Sequence, residues 1–209
     1  MARILITSGP TRQYLDPVRY LTNGSSGRMG RALAQAALDR GHEVVVVSGP
    51  VMVEYPRGAE VRPIISTEEL LAACEELFPG CDGVIGAAAP CDYRPVRVEE
   101  HKIAKTGQPL VLSLIETPDV MATLGATKRP GQWLVGFALE TDDQRFRALT
   151  KLERKSCDLI VLNGPGAMDA LDNTVEVLDK SGAVVAALAG TKDSVARGIL
   201  QTIDERLLR

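Results

Sequence analysis

Residues 29–50 read MGRALAQAALDRGHEVVVVSGP, and this stretch decides the fold class. Residues 29–40 form an alanine-rich helix with Met29, Leu33, Ala36 and Ala37 on one face, and Gly41 stops it. Val44-Val45-Val46-Val47 follows as a continuous β-branched run, the pattern of a strand buried on both faces, and ends at Ser48-Gly49-Pro50. Upstream, Ile4-Leu5-Ile6-Thr7 is a first strand ending at Ser8-Gly9-Pro10. Downstream, residues 61–65 give a shorter strand. Ser66-Thr67-Glu68-Glu69 is a capping box opening a helix to Leu77, and residues 83–87 form the next strand.

This βαβαβ order predicts an α/β, doubly wound, mainly parallel Rossmann-like sheet, whose ligands bind beyond the carboxyl ends of the strands. The second half extends it. A long loop covers residues 90–109 and a strand residues 110–114, and Thr117-Pro118 caps a helix to Leu124. Residues 134–138 and 159–162 are further strands. The helix between them spans 143–156, with Phe146, Leu149 and Leu152 facing inward. Residues 175–178 and 183–186 flank Asp179-Lys180-Ser181-Gly182 as a C-terminal β-hairpin. Thr191 caps a closing helix with Val195, Ile199, Ile203 and Leu207 in one stripe. With no repeat, low-complexity tract or linker, residues 1–209 are expected to form a single domain.

Composition narrows the function. Hydrophobic residues make up 45% and charged residues 24%, which excludes general disorder. A formal charge of −3 and 4% aromatic residues weigh against a nucleic-acid partner. No apolar run reaches the ~18 residues of a membrane span, and the start is too short for a signal peptide. The four cysteines (Cys74, Cys81, Cys91 and Cys157) form no CxxC, and only two histidines exist, so no zinc site is expected. Reduced thiols in a cytoplasmic protein fit this usage.

Three segments carry candidate chemistry. The first runs from Ser8 to Gly30, a loop far longer than the usual 2–6 residues. Gly24, Gly27 and Gly30 let backbone N–H groups approach a ligand, Ser25 and Ser26 add hydroxyls, and the helix start behind them is a natural anion site. Arg12, Arg19 and Arg28 offer charge-assisted contacts; the alternative is a glycine-rich turn closing a tight helix–strand contact. No GxxxxGK(S/T) or GxGxxG is present, which lowers the odds of a dehydrogenase. The second segment is residues 87–105. Asp92 lies just past a buried strand, and Lys102 and Lys105 sit in a charged loop that either closes over phosphates or is simply solvated. The third is the pair Lys151 and Lys155, four apart on one helix face, which meets either a polyphosphate or water. Phe137, at a strand's carboxyl end, either stacks on a base or belongs to the core.

Taken together, Ile6-Thr7-Ser8-Gly9-Pro10-Thr11-Arg12, the block from Leu15 through Asp16-Pro17-Val18-Arg19 to Gly30, Ala87-Ala88-Ala89-Pro90-Cys91-Asp92-Tyr93-Arg94, Lys102-Ile103-Ala104-Lys105, Val135-Gly136-Phe137-Ala138-Leu139-Glu140-Thr141 and residues 151–158 resemble phosphopantothenoylcysteine synthetase, the synthetase domain of the bacterial coenzyme A biosynthesis bifunctional proteins. The resemblance implies a ligase that forms an amide bond between 4′-phosphopantothenate and L-cysteine. CTP, with ATP the less favoured alternative, activates the carboxylate as an acyl-cytidylate with release of pyrophosphate. The cysteine amine then displaces CMP, and Mg²⁺ or another divalent cation assists. It also implies a homodimer, with the hairpin at residues 175–186 as the expected contact. A partner or fused flavin-dependent decarboxylase is implied too, so the chain is expected to be a free-standing synthetase or a cut-out domain.

By the same resemblance, Asn23 contacts the acyl-nucleotide, and Lys102 and Lys105 are catalytic lysines of a flap. Ala88, Ala89, Asp92, Lys102, Ile115, Glu116, Thr117, Pro118, Phe137, Lys151 and Lys155 bind the nucleotide. Gly9, Arg12, Ser25, Ser26, Gly27 and Arg28 stand where phosphate or substrate would bind. The chain departs from the family at Ser8-Gly9-Pro10, Pro90-Cys91 and Ala104, and it matches weakly from Gly164 to Asp172. Two alternatives stand beside the ligase: an NAD(P)-dependent reductase on the same fold, and a non-catalytic nucleotide-binding subunit.

Overall fold

The computed structural model describes residues 1–139, 143–163 and 172–208. Glu140 and Thr141 of the family-like stretch, and residues 164–171, lie outside the described residues.

The apolar runs form one mixed sheet. Strands β1 (Arg3–Ser8), β4 (Glu43–Ser48), β5 (Glu60–Pro63), β6 (Gly83–Gly86), β9 (Trp133–Leu139) and β10 (Leu159–Asn163) run parallel. Strands β11 (Asp172–Asp179) and β12 (Val184–Thr191) add an antiparallel hairpin at one edge, giving the order β12-β11-β10-β9-β6-β1-β4-β5. Alternation along the strands divides the core in two. Ile4, Ile6, Val44, Val46 and Val135 pack beneath α1 (Arg28–Asp39) and α5 (Lys192–Leu207). Leu5, Val45, Val47, Val84 and Leu134 point to the other face, under α2 (Thr67–Leu77), α3 (Val120–Thr127) and α4 (Gln144–Arg154).

Chain order reverses at β1, which lies between β4 and β6. In a doubly wound sheet this crevice, at the carboxyl ends of the strands, is where ligands bind. The Thr7 and Gly86 backbones are paired there.

Several local expectations change. The Ser8–Gly30 segment is not all loop: β2 (Arg12–Asp16) and β3 (Arg19–Thr22) form an antiparallel hairpin. The strand expected at residues 110–114 is a shorter β8 (Leu114–Glu116), which pairs with β7 (Tyr93–Pro95) outside the main sheet. Thr117 does not cap α3, because its hydroxyl donates to the Cys91 carbonyl; Asp119 caps it, accepting from Ala122 N–H. Phe146 is 73% exposed, so the buried stripe of α4 is Ala148 and Leu152. The Ser66 cap holds, and Glu69 reaches back to Ile65 N–H at 2.8 Å. Thr191 caps α5 as expected.

Gly30 sets how closely α1 approaches β1. A Cβ there would lie 2.0 Å from Ser8 Oγ and 2.4 Å from Ser8 Cβ. Ser8 is buried and receives a hydrogen bond from the Tyr55 hydroxyl, so it has little room to yield. Gly30→Ala should therefore lower stability by about 1–3 kcal/mol, read as a fall in denaturation midpoint at unchanged slope. An unchanged midpoint would show that the helix can lift off the strand freely.

Candidate functional site

Two recesses open side by side at the carboxyl ends of β1, β6 and β9. The first, about 360 Å³, is lined by Thr7, Gly86, Glu116–Met121, Lys155 and Cys157, among others. The second, about 450 Å³, is lined by residues 23–30 and 87–90, with Leu139, Asn163, Asn173 and Lys192. Ala88, Pro90, Asp92, Phe137 and Lys151 line both, forming the wall between them.

Residues 23–30 approach the second recess on the path set by the β2–β3 hairpin. Asn23 Nδ2 donates to the Pro90 carbonyl at 2.8 Å, tying this segment to the loop after β6. Gly27 precedes α1 with φ of 74°, a left-handed conformation that favours glycine. Gly27 has no side chain to cap that helix end, and among the described residues its first N–H groups are open to water or a ligand. The loop after β6 is held by Ala89 N–H on the Gly9 carbonyl and Cys91 N–H on Thr11 Oγ1.

In the first recess Lys155 Nζ lies 3.0 Å from Asp119 Oδ1, and Arg154 lies 3.1 Å from Oδ2. Burial pushes the Asp119 carboxyl up, but the hydrogen bond and charge of Lys155, the Ala122 N–H and Arg154 outweigh it and hold it below the ordinary carboxylate value. A ligand phosphate meeting Lys155 would compete with Asp119.

The structure thus gathers most of the expected residues. Ala88, Asp92, Glu116, Thr117, Pro118, Phe137, Lys151 and Lys155 line the first recess, and Asn23, Ser25, Ser26, Gly27, Arg28 and Ala89 the second. Four calls change. Gly9 is buried and lines neither recess, its carbonyl accepting from Ala89 N–H. Ile115 is exposed on β8, opposite Arg94, with its neighbours Glu116–Pro118 taking the wall. Arg12 borders a shallower groove beside Asn23, its guanidinium 4.5 Å over the Tyr20 ring. Lys102 and Lys105 are exposed and line none of these recesses.

Between those lysines the backbone is clasped. Ile103 N–H donates to Asp16 Oδ2 at 3.0 Å, and Arg19 Nη1 donates to the Ile103 carbonyl at 3.1 Å. Asp16 is fully buried and also accepts from Val18 N–H, Arg19 N–H and the Arg19 guanidinium. Burial pushes its carboxyl up, but the backbone N–H groups of Val18, Ile103 and Arg19 with the Arg19 side chain prevail and lower it to about 2. A depressed carboxylate stabilises the fold above its unfolded value of 3.8 and loses that contribution as pH falls toward about 2. Asp16→Asn should therefore be less stable near neutrality and flatten the loss of stability between those pH values. An acid profile identical to that of the parent would contradict the clasp.

Sequence reasoning missed Leu139, Asn163, Asn173 and Lys192, which also line the second recess. Asn163 ends a parallel strand, so the carboxyl-end rule marks its position. Lys192 carried no such signal, because only the sheet order brings the start of α5 there. Among the described residues no group of three or more His, Cys, Asp or Glu could hold a metal, and no helix is long and apolar enough to cross a membrane.

A Rossmann-like sheet with paired recesses at its switch point defines a ligand-binding α/β domain, and sequence comparison specifies the kind. Residues 1–207 match the DNA/pantothenate metabolism flavoprotein C-terminal domain, and the chain belongs to that family. It is 39% identical over 212 residues to the coenzyme A biosynthesis bifunctional protein CoaBC of Vibrio cholerae, covering 98% of this chain and 53% of that protein. It is 42% identical over 206 residues to a cysteine/cysteine sulfinic acid decarboxylase of an unidentified prokaryote, covering 96% of this chain and 57% of that one. The chain thus spans about half the length of these relatives. The crystal structure of the C-terminal domain of a CoaBC protein superposes with a TM-score of 0.84 at 39% identity, covering 99% of this chain and 95% of the other.

Proposed function

We propose that residues 1–209 act as one synthetase domain that joins 4′-phosphopantothenate to L-cysteine at the expense of CTP. One observation carries the reading: two recesses share a wall made of Ala88, Pro90, Asp92, Phe137 and Lys151. A reaction that first couples a nucleotide to an acid needs two such sites whose reacting ends meet.

The first recess takes the nucleotide. Phe137 and the Ala88 backbone face the base, Asp92 the ribose, and Lys151 and Lys155 the phosphates. The second takes the phosphorylated acid, its phosphate at the N–H groups of residues 24–30. The acid's carboxylate attacks the α-phosphorus, the P–O bond to the β-phosphate breaks, and pyrophosphate leaves with the electron pair. The cysteine nitrogen then attacks the acyl carbon, the acyl C–O bond breaks and CMP departs; the nitrogen's proton passes to solvent. Both steps build negative charge at phosphate oxygens, which lysines and backbone N–H groups offset. Lys102 and Lys105 act when their loop folds over the second recess, turning about the clasped Ile103 and excluding water from the mixed anhydride.

A divalent cation would neutralise phosphate charge. With no three-residue cage among the described residues, it would be held mainly by the nucleotide's own phosphates, and Asp92, Glu116 and Asp119 are the carboxylates that line this recess. The domain works as a homodimer in this reading. The contact we assign is the β7–β8 arm rather than the C-terminal hairpin, because exposed Val96, Val98, Leu110, Val111, Leu112 and Leu114 gather on the arm. The reading is tested by incubating the protein with phosphopantothenate, cysteine, CTP and Mg²⁺. The amide product and CMP should appear in equal amounts, and their absence from folded protein would refute it.

A further inference from the structure

Three polar side chains from separate elements line the second recess together. Asn163 closes β10, Asn173 stands near the start of β11, and Lys192 opens α5. Lys192 Nζ donates to Asn173 Oδ1 at 3.2 Å, and Asn173 is only 4% exposed, so the lysine head is positioned rather than loose. Asn163 Oδ1 is buried and has no hydrogen-bond partner among the described residues. A buried acceptor without a donor is costly, and one that lines a ligand recess calls for a donor from the ligand.

The same recess therefore presents both a positioned cation and an unfilled acceptor. A fully ionised phosphate or carboxylate has no N–H or O–H to give Asn163, so an anion alone would leave that acceptor unfilled. The complement of a cation and an acceptor in one recess is a small zwitterion. We propose that Asn163, Asn173 and Lys192 form an α-amino-acid subsite. Lys192, held by Asn173, meets the α-carboxylate, and Asn163 Oδ1 accepts from the α-amino group. This inference rests on the ligase reading above. It puts the amino acid in the same recess as Asn23 and Phe137, beside the activated acyl group, and assigns recognition of the second substrate to residues outside the nucleotide site.

The test compares cysteine with cysteamine, which keeps the amine and thiol but lacks the carboxylate. In Lys192→Ala and Lys192→Gln the KM for cysteine should rise about ten-fold, toward that of cysteamine, whose own KM stays put. Asn163→Ala should raise both KM values. Phosphopantothenate-dependent pyrophosphate release without amino acid should persist in all three variants. Equal shifts for the two amines in the Lys192 variants would overturn the carboxylate contact. A parallel fall in pyrophosphate release would overturn the subsite itself, assigning these residues to the acyl half. If the parent releases no pyrophosphate at all, the ligase reading fails, and calorimetric titration of L-cysteine and cysteamine decides the subsite alone. Preference for cysteine lost on Lys192→Ala supports it, and no such preference in the parent overturns it.

Discussion

Lys102→Ala is expected to reduce amide formation by about 100-fold or more while shifting the thermal midpoint by less than about 2 °C. The stability half of this follows from placement. Lys102 is exposed, and the fold's hold on its loop is the Ile103 backbone, which the substitution leaves in place. The activity half rests on the proposed ligase reading, in which the lysine's charge would offset the negative charge that builds at phosphorus once its loop folds over the recess. Rates and melting are read on the same preparation. A variant that melts early, or turns over at the parental rate, would place Lys102 in the solvated face of the loop.

Asn23→Ala is expected to divide the two half-reactions. Asn23 ties the segment before α1 to the Pro90 carbonyl, on the wall shared by the recesses. Losing one hydrogen bond should cost about 0.5–1.5 kcal/mol of stability. Pyrophosphate release should continue, while conversion of the acyl-nucleotide falls by about 100-fold because its carbonyl is no longer oriented for the amine. Quenched reactions should then show the acyl-cytidylate accumulating by mass spectrometry. Equal loss of both halves would make Asn23 a structural tie alone.

What the sequence made legible follows from range. Val44–Val47 and the alanine stripe of α1 are decided by neighbours three or four residues away, and they fold as their pattern says. That ligand recesses lie beyond the carboxyl ends of β1, β6 and β9 followed from topology, and Thr7, Ala88 and Phe137 line them there. Patterns were misread where tertiary contacts override them. Residues 110–114 look like a strand because they are apolar, yet Leu110 and Val111 are exposed and belong to the arm. Thr117-Pro118 has the composition of a helix start, but the Cys91 carbonyl claims the threonine hydroxyl. The β2–β3 hairpin was hidden because its turn is organised by a buried Asp16 that also anchors Ile103, 87 residues on. The grouping of Asn163, Asn173 and Lys192 in one recess depends on β11 turning back against β10, a pairing that no local spacing encodes.

Pyrophosphate release measured with Mg²⁺ and CTP, with and without 4′-phosphopantothenate and with ATP in parallel, tests the central claim most directly. The account predicts release that requires phosphopantothenate, proceeds before cysteine is added and is faster with CTP. Release that ignores phosphopantothenate, or none from folded protein with either nucleotide, would contradict it.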